Sequence, residues 1–314
     1  MWNCFVPDEH RSDTLYVVLP YFNFCEYKRR QTLFIQFIRR IQTIPGIQII
    51  ISEAISNKGS LPRLPGIYRH LRFSTQDNIW LKENLINLAT RALPDNWKYV
   101  SWIDADITFL NDEWVQDTIA ELQTFDIVQM FHTCVNLGPH GESLKIDKSF
   151  GYMHEKSGTE YSKTDKYGFW HPGYAWACTR KAWEQMHGLL DWAILGSGDR
   201  HMALAWIGKV EYSTPGNVHP TYMSMLKEYQ MLCKNLTLGY VAGTILHHWH
   251  GRFEDRKYRE RWQILTNYQY DPLTDIKLTS RGLIQLTDAG KRMDADLRAY
   301  FAGRREDLMK TLQV

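Results

Sequence analysis

The sequence is poor in cysteine and in long apolar runs, and each shortage excludes a class of protein. Its five cysteines are Cys4, Cys25, Cys134, Cys178 and Cys233, and no two of them have CxxC spacing. An odd number without that spacing argues against a disulfide framework and a cysteine zinc site, and it favours a reducing compartment. No apolar run approaches the ~18 residues that cross a bilayer. The chain starts with the polar, proline-interrupted stretch MWNCFVPDEHRSD, so we expect no signal peptide and a cytoplasmic location.

Three common catalytic patterns are also missing. The sequence contains no GxxxxGK[ST], no GxGxxG and no GxSxG, which removes the usual grounds for a P-loop NTPase, a Rossmann oxidoreductase or a serine hydrolase. Neither sign of charge is in large excess, because the sequence has 37 Lys and Arg and 35 Asp and Glu, a net charge of +2. That balance argues against a nucleic-acid binder driven by overall charge, although a local basic patch stays open.

What is present is the composition of a globular protein. The 314 residues are 44% apolar and 23% charged, enough for one large α/β domain or two small ones. Short apolar runs at residues 15–19, 47–51, 99–103 and 126–130 predict strands, and alternation of polar and apolar residues at 68–73 predicts another. Helical spacing recurs at 33–44 and 79–92. The pattern predicts a mostly parallel sheet with helices on both faces, which binds ligands at the carboxyl ends of its strands.

The second half is more varied. Residues 132–168 form a long polar stretch that we predict to be a functional loop, able to order over a ligand. We predict a helix from Thr179, as N-cap, to Gly188 and another from Asp199 to about Gly208. Residues 239–246 resemble a strand, and the tail beyond Arg252 is charged and helical in character.

Two clusters offer metal ligands. Asp104-Ala105-Asp106 directly follows the strand at 99–103, and two carboxylates there can hold a hard divalent ion that neutralises a diphosphate. The alternative is a pair of aspartates in a surface turn. His247-His248-Trp249-His250-Gly251 supplies imidazoles suited to manganese or zinc. The alternative is a solvated edge, or core histidines with one hydrogen bond each.

Two further segments suggest catalysis and binding. Asp199 follows the glycine-rich turn Leu195-Gly196-Ser197-Gly198 and could act as a general base, while the competing interpretation is a helix cap. In the stretch WHPGYAW, Gly173 would let a ligand approach the backbone, and Trp170, Tyr174 and Trp176 would offer stacking surfaces. The competing interpretation is a buried strand with ordinary aromatic packing.

Taken in order, these segments resemble glycosyltransferases of the GT-A fold. LYVVLPYFN resembles the first strand and nucleotide loop, and WIDADITF resembles the DxD segment. HPGYAWACTRKAWEQMHGLLDWAILGSGD is similar to a stretch of family-2-like and galactosyltransferase-like enzymes, and HHWHG to their late metal-binding histidine. The resemblance covers roughly residues 14–265 and implies a Rossmann-like α/β domain with a mostly parallel central sheet flanked by helices.

The resemblance also implies roles for individual residues. Asp106 and His250 would ligate the metal, with Asp104 and His248, and then His247, behind them. Asp199 would be the base of an inverting transfer, although Arg200 and His201 follow it where the family usually has further acids. The implied donor-binding residues are Pro20, Tyr21, Asn23, Glu53, Lys82, Asn84, Trp102, Asp104, Ala105, Asp106, Gly173 and Arg252. The implied acceptor-binding residues are Trp170, Tyr174, Trp176, Gly198 and Arg200. Arg252, Tyr258 and Arg261 would close over the diphosphate, unless they form a solvated helix face.

The expected function is therefore a glycosyltransferase that depends on Mn²⁺ or Mg²⁺ and uses a nucleotide-sugar donor, with UDP the first expectation. Residues 1–265 would form the transferase domain, with a donor half at about 14–130 and an acceptor half at about 131–265, and 266–314 a C-terminal helical extension. The acceptor would be a glycan or a hydroxymethylated base in DNA. Two other classes stay open, namely a non-catalytic module that binds sugar nucleotides and a metal-dependent phosphodiesterase.

Overall fold

The structure, a computed structural model, describes residues 13–56, 59–156, 161 and 170–308. The predictions for the start of the chain and for Cys4 lie outside these residues, as does the part of the predicted loop at 157–160 and 162–168. The strands are β1 Leu15–Phe22, β2 Ile47–Ile55, β3 Arg69–Ser74, β4 Tyr99–Ile103, β5 Ile107–Phe109, β6 Ile127–Gln129, β7 Thr133–Leu137, β8 Ser143–Lys148, β9 Ala175–Thr179, β10 Leu238–Tyr240, β11 Thr244–His247, β12 Ile276–Leu278 and β13 Ile284–Leu286. The helices are α1 Lys28–Ile41, α2 Lys82–Thr90, α3 Trp114–Glu121, α4 Phe150–Lys156, α5 Arg180–Met186, α6 Gly198–Trp206, α7 Pro220–Leu232, α8 Trp262–Asn267 and α9 Asp294–Gly303.

The central sheet confirms the predicted α/β class with a mostly parallel sheet. Its seven strands lie in the order β10-β6-β9-β4-β1-β2-β3. Strand β9 runs antiparallel to both of its neighbours, and every other pair in this sheet is parallel. The carboxyl ends of β1 and β4 therefore meet at one edge of the sheet, where a ligand site is expected.

Helices cover both faces of this sheet, as predicted. On one face, Val17 and Leu19 pack with Phe34 and Phe37 of α1, and on the other Val18 packs with the cluster that includes α2. The alternation arises because successive strand residues point to opposite faces, so an uninterrupted apolar run can feed two cores. Burial of both faces explains why β1 and β2 read as continuous apolar runs.

A second sheet corrects two of the predictions. Residues 132–156 of the predicted loop contain β7, β8 and α4, and a four-stranded sheet has the order β5-β11-β7-β8. The single strand predicted at 239–246 is two strands in different sheets, β10 and β11, separated by Gly243 at φ +143°. Glycine tolerates that backbone conformation, which lets the chain cross from one sheet to the other.

Helix ends agree closely with the capping signals. Thr179 is the N-cap of α5, and its Oγ1 accepts a hydrogen bond from the Ala182 N–H at 3.2 Å. Helix α6 begins at Gly198, one residue before the predicted start. The predicted C-terminal helical extension contains α9, but also the β12–β13 hairpin. No helix in the described part of the chain combines the length and apolar character needed to cross a membrane.

Candidate active site

A cleft lies at the carboxyl ends of β1 and β4. Strand β1 contributes Pro20, Tyr21 and Phe22, and the turn after β4 contributes Asp104, Ala105 and Asp106. The remaining lining residues come from many parts of the chain: Arg30, Leu33, Phe34, Trp80, Lys82, His171, Pro172, Gly173, Tyr174, Ser197, Asp199, Arg200, His247, His250, Arg256, Tyr258, Arg261, Arg304 and Glu306. The cleft therefore brings together both predicted metal clusters and the predicted base.

Asp106, His247 and His250 form a compact cluster. Their ligand atoms all lie within 4.8 Å of one another. Asp106 Oδ2 is 2.8 Å from His250 Nε2 and 3.8 Å from His247 Nε2. Sheet register explains the meeting, because His247 pairs with Ile107, the residue that follows Asp106. The Asp106 carbonyl also accepts a hydrogen bond from the His248 N–H at 2.7 Å, which ties the two segments together.

The hydrogen bonds of Asn136 decide which nitrogen of His247 carries its proton. Asn136 Nδ2 donates to Asp147 Oδ2 at 2.9 Å, and Tyr174 donates its hydroxyl to Asn136 Oδ1 at 2.8 Å. Asn136 Oδ1 is therefore an acceptor, and His247 Nδ1, 2.9 Å away, must donate to it. The lone pair of His247 then lies on Nε2, the atom that faces Asp106. This is the outer-shell arrangement typical of metal-binding histidines.

The same reasoning applies to His250 and to Asp106. Arg256 Nη2 donates to His250 Nε2 at 2.9 Å, so that nitrogen also carries a lone pair. Three lone-pair atoms converge, and Asp106 Oδ1 is buried without a hydrogen-bond partner among the described residues. The Arg256 guanidinium is the cation that the structure places at His250 Nε2, and a divalent ion bound by the three residues would take over that contact. The residues present fit such an ion.

Protonation states in the cluster favour metal binding. Burial lowers the pKa of His247 to about 4, so the ring is neutral at neutral pH. Burial alone would raise the pKa of Asp106, but His250 and His247 outweigh it and hold that pKa well below its usual range. A charged Asp106 carboxylate beside the neutral His247 imidazole suits a manganese site.

Lys82 links the other two carboxylates of the cleft. Its Nζ lies 2.7 Å from Asp104 Oδ1 and 3.2 Å from Asp199 Oδ2. The lysine is buried, yet Asp104 and Asp199 outweigh the effect of burial and raise its pKa above the ordinary value. Asp199, in the first turn of α6, keeps 22% of its side chain exposed. Lys82 therefore fixes the Asp199 carboxylate in place while leaving it open to the cleft.

Glu83 lies behind Asp199, away from solvent. Its side chain packs so closely on Gly198 that a Cβ at Gly198 would lie 2.3 Å from Glu83 Oε1. Burial, and then the charge of Asp199, raise the pKa of Glu83 to about 8. Glu83 is consequently protonated at neutral pH and adds no negative charge behind Asp199.

Five arginines give the cleft a cationic wall. They are Arg30, Arg200, Arg256, Arg261 and Arg304. Arg261 donates to Ser197 Oγ at 2.6 Å, and both Arg261 and Arg304 donate to the Tyr300 hydroxyl, at 3.3 and 3.2 Å. Guanidinium groups held in this way are typical binding groups for phosphate oxygens.

The predicted metal ligands divide into two groups. Asp106 and His250 are in the cluster together with His247, the histidine ranked last from the sequence. His248 lies elsewhere, because its Nε2 is 2.8 Å from Thr108 Oγ1. Asp104 lines the cleft but pairs with Lys82.

The predicted donor-binding residues divide in the same way. Those that line the cleft are Pro20, Tyr21, Lys82, Asp104, Ala105, Asp106 and Gly173. The others have different partners. Asn23 accepts from the Tyr27 N–H at 3.0 Å ahead of α1, and Asn84 donates to Asp191 at 3.0 Å. Arg252 is exposed and pairs with Asp255 at 3.1 Å.

Glu53 and Trp102 are likewise outside the cleft lining. Glu53 is a buried carboxylate at the end of β2 that pairs with His70 at 2.8 Å and Arg72 at 3.1 Å. Trp102 is 1% exposed in the core of the sheet. A strand residue that faces the core cannot contact a ligand at the strand end.

Among the predicted acceptor-binding residues, Tyr174 and Arg200 line the cleft. Trp170 packs on Phe150 with ring centroids 5.3 Å apart, and Trp176 is 1% exposed in the core. These two tryptophans follow the competing interpretation of ordinary aromatic packing. Gly198 packs against the Glu83 side chain, and a residue with a Cβ would collide with it, which explains why this position is a glycine.

Several cleft residues were missed from the sequence. The main ones are Arg30, His171, Arg256, Arg304 and Glu306. Asn136 was missed as well, and it lies behind His247 rather than in the cleft lining. Arg256 lies between Arg252 and Tyr258, two residues expected to close over the diphosphate. Its position six residues after His250 is a signal by which it could have been predicted. Arg30 and Glu306 lie 276 residues apart in the chain, and no local pattern connects them.

No protein-family model matches the chain, and no curated protein matches it. Solved structures do match. The catalytic domain of Drosophila beta1,4galactosyltransferase 7 in complex with xylobiose is 12% identical, covers 89% of this chain and 97% of its own, and has a TM-score of 0.38. A mannosyltransferase from Pyrobaculum calidifontis in complex with GDP-Man and Mn²⁺ is 14% identical, with coverages of 94% and 71% and a TM-score of 0.47.

A third match is TarS of S. aureus in complex with UDP-GlcNAc, at 8% identity, with coverages of 61% and 52% and a TM-score of 0.38. The first two of these matches are a galactosyltransferase and a mannosyltransferase. At these identities and TM-scores the matches do not assign an activity, a donor or an acceptor to this chain.

Proposed function

We propose that the chain is a metal-dependent glycosyltransferase. It moves a sugar from a nucleotide-diphosphate sugar, with UDP the first candidate, to an acceptor hydroxyl. The observation that carries the proposal is that Asp106, His247 and His250 line the same cleft as the Asp199 carboxylate. One cleft thus holds a group that can bind a divalent ion and a group that can take a proton.

The metal cluster and the arginine wall would hold the donor diphosphate. A divalent ion bound by Asp106, His247 and His250 supplies positive charge that stabilises the departing nucleotide. Arg256, Arg261 and Arg304 line the cleft as well, and their guanidinium groups add charge that does not depend on the metal. The bond between the anomeric carbon and the diphosphate oxygen breaks, and that oxygen keeps the electron pair.

Asp199 is the proposed general base of an inverting transfer. Its carboxylate takes the proton of the acceptor hydroxyl as the hydroxyl oxygen attacks the anomeric carbon. Lys82, 3.2 Å from Asp199 Oδ2, holds the carboxylate in one orientation. A fixed carboxylate needs no reorganisation when the acceptor arrives, which favours catalysis.

We infer that residues 1–265 form the transferase domain, with a donor half at about 14–130 and an acceptor half at about 131–265. In support, Pro20, Lys82 and Asp106 of the first half line the same cleft as Asp199 and His250 of the second. Arg304 and Glu306 line it too, so we include the C-terminal segment from 266 onward in the working enzyme.

A thermal-shift panel followed by a turnover assay tests the proposal. A nucleotide-sugar at ~100 times its dissociation constant should stabilise the protein by about 2.7 kcal/mol, with Mn²⁺ but not with EDTA. The stabilising donor is then incubated with glycan fragments and with hydroxymethylated DNA as acceptors. Asp199→Asn should lower kcat by ~10²–10⁴-fold and leave donor affinity unchanged.

Three results would contradict this function. Unaltered turnover in Asp199→Asn would remove the base assignment. Donor binding without turnover on any acceptor would favour a binding module. Phosphodiester cleavage without a nucleotide-sugar would favour a metal-dependent phosphodiesterase.

A further inference from the structure

Glu306 is a buried carboxylate contributed to the cleft by the C-terminal segment. Its side chain is 1% exposed, and it is paired with Arg30 of α1 and with Arg304, whose Nε lies 2.8 Å away. A carboxylate in that position is costly unless it is paired, and these two guanidinium groups provide the pairing. The pairing leaves unexplained why the carboxylate also lies beside a histidine of the metal cluster.

That histidine is His250, and Glu306 faces the side of its ring away from the cluster. Glu306 Oε2 lies 3.7 Å from His250 Nδ1. His250 Nε2 accepts a hydrogen bond from Arg256 Nη2 at 2.9 Å and faces Asp106 Oδ2 at 2.8 Å. Since Nε2 carries the lone pair, the proton of the neutral ring is on Nδ1, toward Glu306.

The other histidine of the cluster has a corresponding arrangement. His247 Nδ1 lies 2.9 Å from Asn136 Oδ1, and His247 Nε2 faces the cluster that His250 Nε2 also faces. Each of these histidines therefore has an oxygen on the Nδ1 side of its ring. His247 Nδ1 is hydrogen-bonded to an amide oxygen at 2.9 Å, and His250 Nδ1 faces a carboxylate oxygen at 3.7 Å, just beyond hydrogen-bond distance. Acceptors in that position fix the tautomer and orientation of metal-binding imidazoles.

The chain is built to bring Glu306 to this place. Gly251, at φ +88°, directly follows His250, and a Cβ there would lie 3.0 Å from the Arg304 carbonyl and 3.2 Å from Glu306 Cα. Only glycine allows the C-terminal segment to pass so close to the histidine. Asp307 fastens the segment by accepting hydrogen bonds from the first N–H groups of α1, at 3.1 and 2.7 Å.

We propose that Glu306 is the positioning residue for His250, which makes the C-terminal segment part of the metal centre. The proposal rests on the metal site of the proposed function. Glu306 keeps His250 in the tautomer whose Nε2 can bind a divalent ion, and it holds the ring in the direction of Asp106.

The first test compares Mn²⁺ affinity, measured by calorimetry on the full chain, across three variants. Glu306→Gln removes the charge and keeps the shape, and it should weaken Mn²⁺ binding by ~10–100-fold. Glu306→Asp keeps the charge that Arg30 and Arg304 need, so it should fold, and it should weaken Mn²⁺ binding as well. Asp307→Asn is the matched control, because it loosens the same segment without removing the Glu306 carboxylate, and its Mn²⁺ affinity should stay near that of the parent protein.

The second test reads the tautomer of His250 directly, by ¹⁵N NMR on the metal-free protein. The parent protein should carry the His250 proton on Nδ1, and Glu306→Gln should shift the proton toward Nε2. This readout needs neither metal nor turnover, so it decides the role of Glu306 even if the proposed function fails.

Either of two results would overturn the proposal. In one, the parent protein carries the His250 proton on Nε2. In the other, Glu306→Gln and Asp307→Asn change Mn²⁺ affinity equally, which would make Glu306 a docking residue and nothing more.

Discussion

The direction in which a histidine side chain leaves the chain decides whether it can bind a metal in the cleft. His247 and His248 are adjacent in the sequence, yet His247 Nε2 faces Asp106 while His248 Nε2 lies 2.8 Å from Thr108 Oγ1. His247 is the last residue of β11 and His248 directly follows it, so the two side chains leave the chain in different directions. The sequence could place three histidines near the metal but could not choose among them without the register of β11 on β5.

This difference yields the first prediction. His247→Ala should weaken Mn²⁺ binding by at least about tenfold, since loss of even an outer-shell partner typically costs that much. His248→Ala, the matched control, should leave Mn²⁺ affinity unchanged. Calorimetric titration of both variants decides the matter, and a larger loss in His248→Ala than in His247→Ala would contradict the assigned ligand set.

A second prediction concerns Glu83, whose pKa is raised by burial from its ordinary 4.5 to about 8. A carboxyl group with a raised pKa in the folded state stabilises the fold fully below its unfolded value of 4.5, and that contribution is lost as pH rises through about 8. Between those values the group lowers the free energy of unfolding by about 1.4 kcal/mol per pH unit. Glu83→Gln removes this contribution.

Urea unfolding at pH 5.5, 6.5 and 7.5 measures the effect. The stability of the parent protein should fall with rising pH relative to that of Glu83→Gln, and other titrating groups cancel in the comparison. Parallel pH dependences for the two proteins would mean that Glu83 is ionised across this range.

At the scale of elements, the contact between α2 and α6 positions the proposed base. Lys82 and Glu83 at the start of α2 meet Gly198 and Asp199 at the start of α6. Gly198 permits this close approach, because any Cβ there would lie 2.3 Å from Glu83 Oε1. The starts of the two helices therefore pack directly on each other beside the cleft.

The third prediction tests that contact. Gly198→Ala should lower the free energy of unfolding by about 1–3 kcal/mol, the usual cost of forcing extra volume into a packed site. Gly216→Ala is the matched control, since a Cβ there meets nothing within 4 Å, and its stability should change by less than about 1 kcal/mol. Equal free energies of unfolding for the two variants in urea would show that the Glu83 side chain moves aside at little cost, which would contradict this prediction.

Elements also show where sequence reasoning succeeds and where it stops. The apolar runs predicted β1, β2 and β4 because both faces of those strands are buried, and Thr179 predicted the start of α5 because capping is local. The segment of β8, SLKIDK, alternates polar and apolar residues, which is a strand signal. The signal was overlooked because the segment lies within a long stretch that is polar overall and was interpreted as a loop.

At the scale of the whole molecule, the cleft is assembled from residues spread over almost the entire described chain, from Pro20 to Glu306. The DxD segment and the late histidines could be predicted because each is a short local motif at a strand end. Arg30 and Glu306 could not, since their pairing joins α1 to the C-terminal segment and leaves no periodic signal. The C-terminal segment was therefore expected to be an appendage, whereas it supplies Arg304 and Glu306 to the cleft.

The central claim is that Asp106, His247 and His250 hold the divalent ion that binds the donor diphosphate. The most direct test is anomalous scattering at the manganese edge from crystals of the protein soaked with Mn²⁺ and a nucleoside diphosphate. The account predicts one strong peak among Asp106 Oδ2, His247 Nε2 and His250 Nε2, with the diphosphate between it and the arginine wall. A peak elsewhere in the molecule, or none in crystals that contain the bound nucleotide, would contradict it.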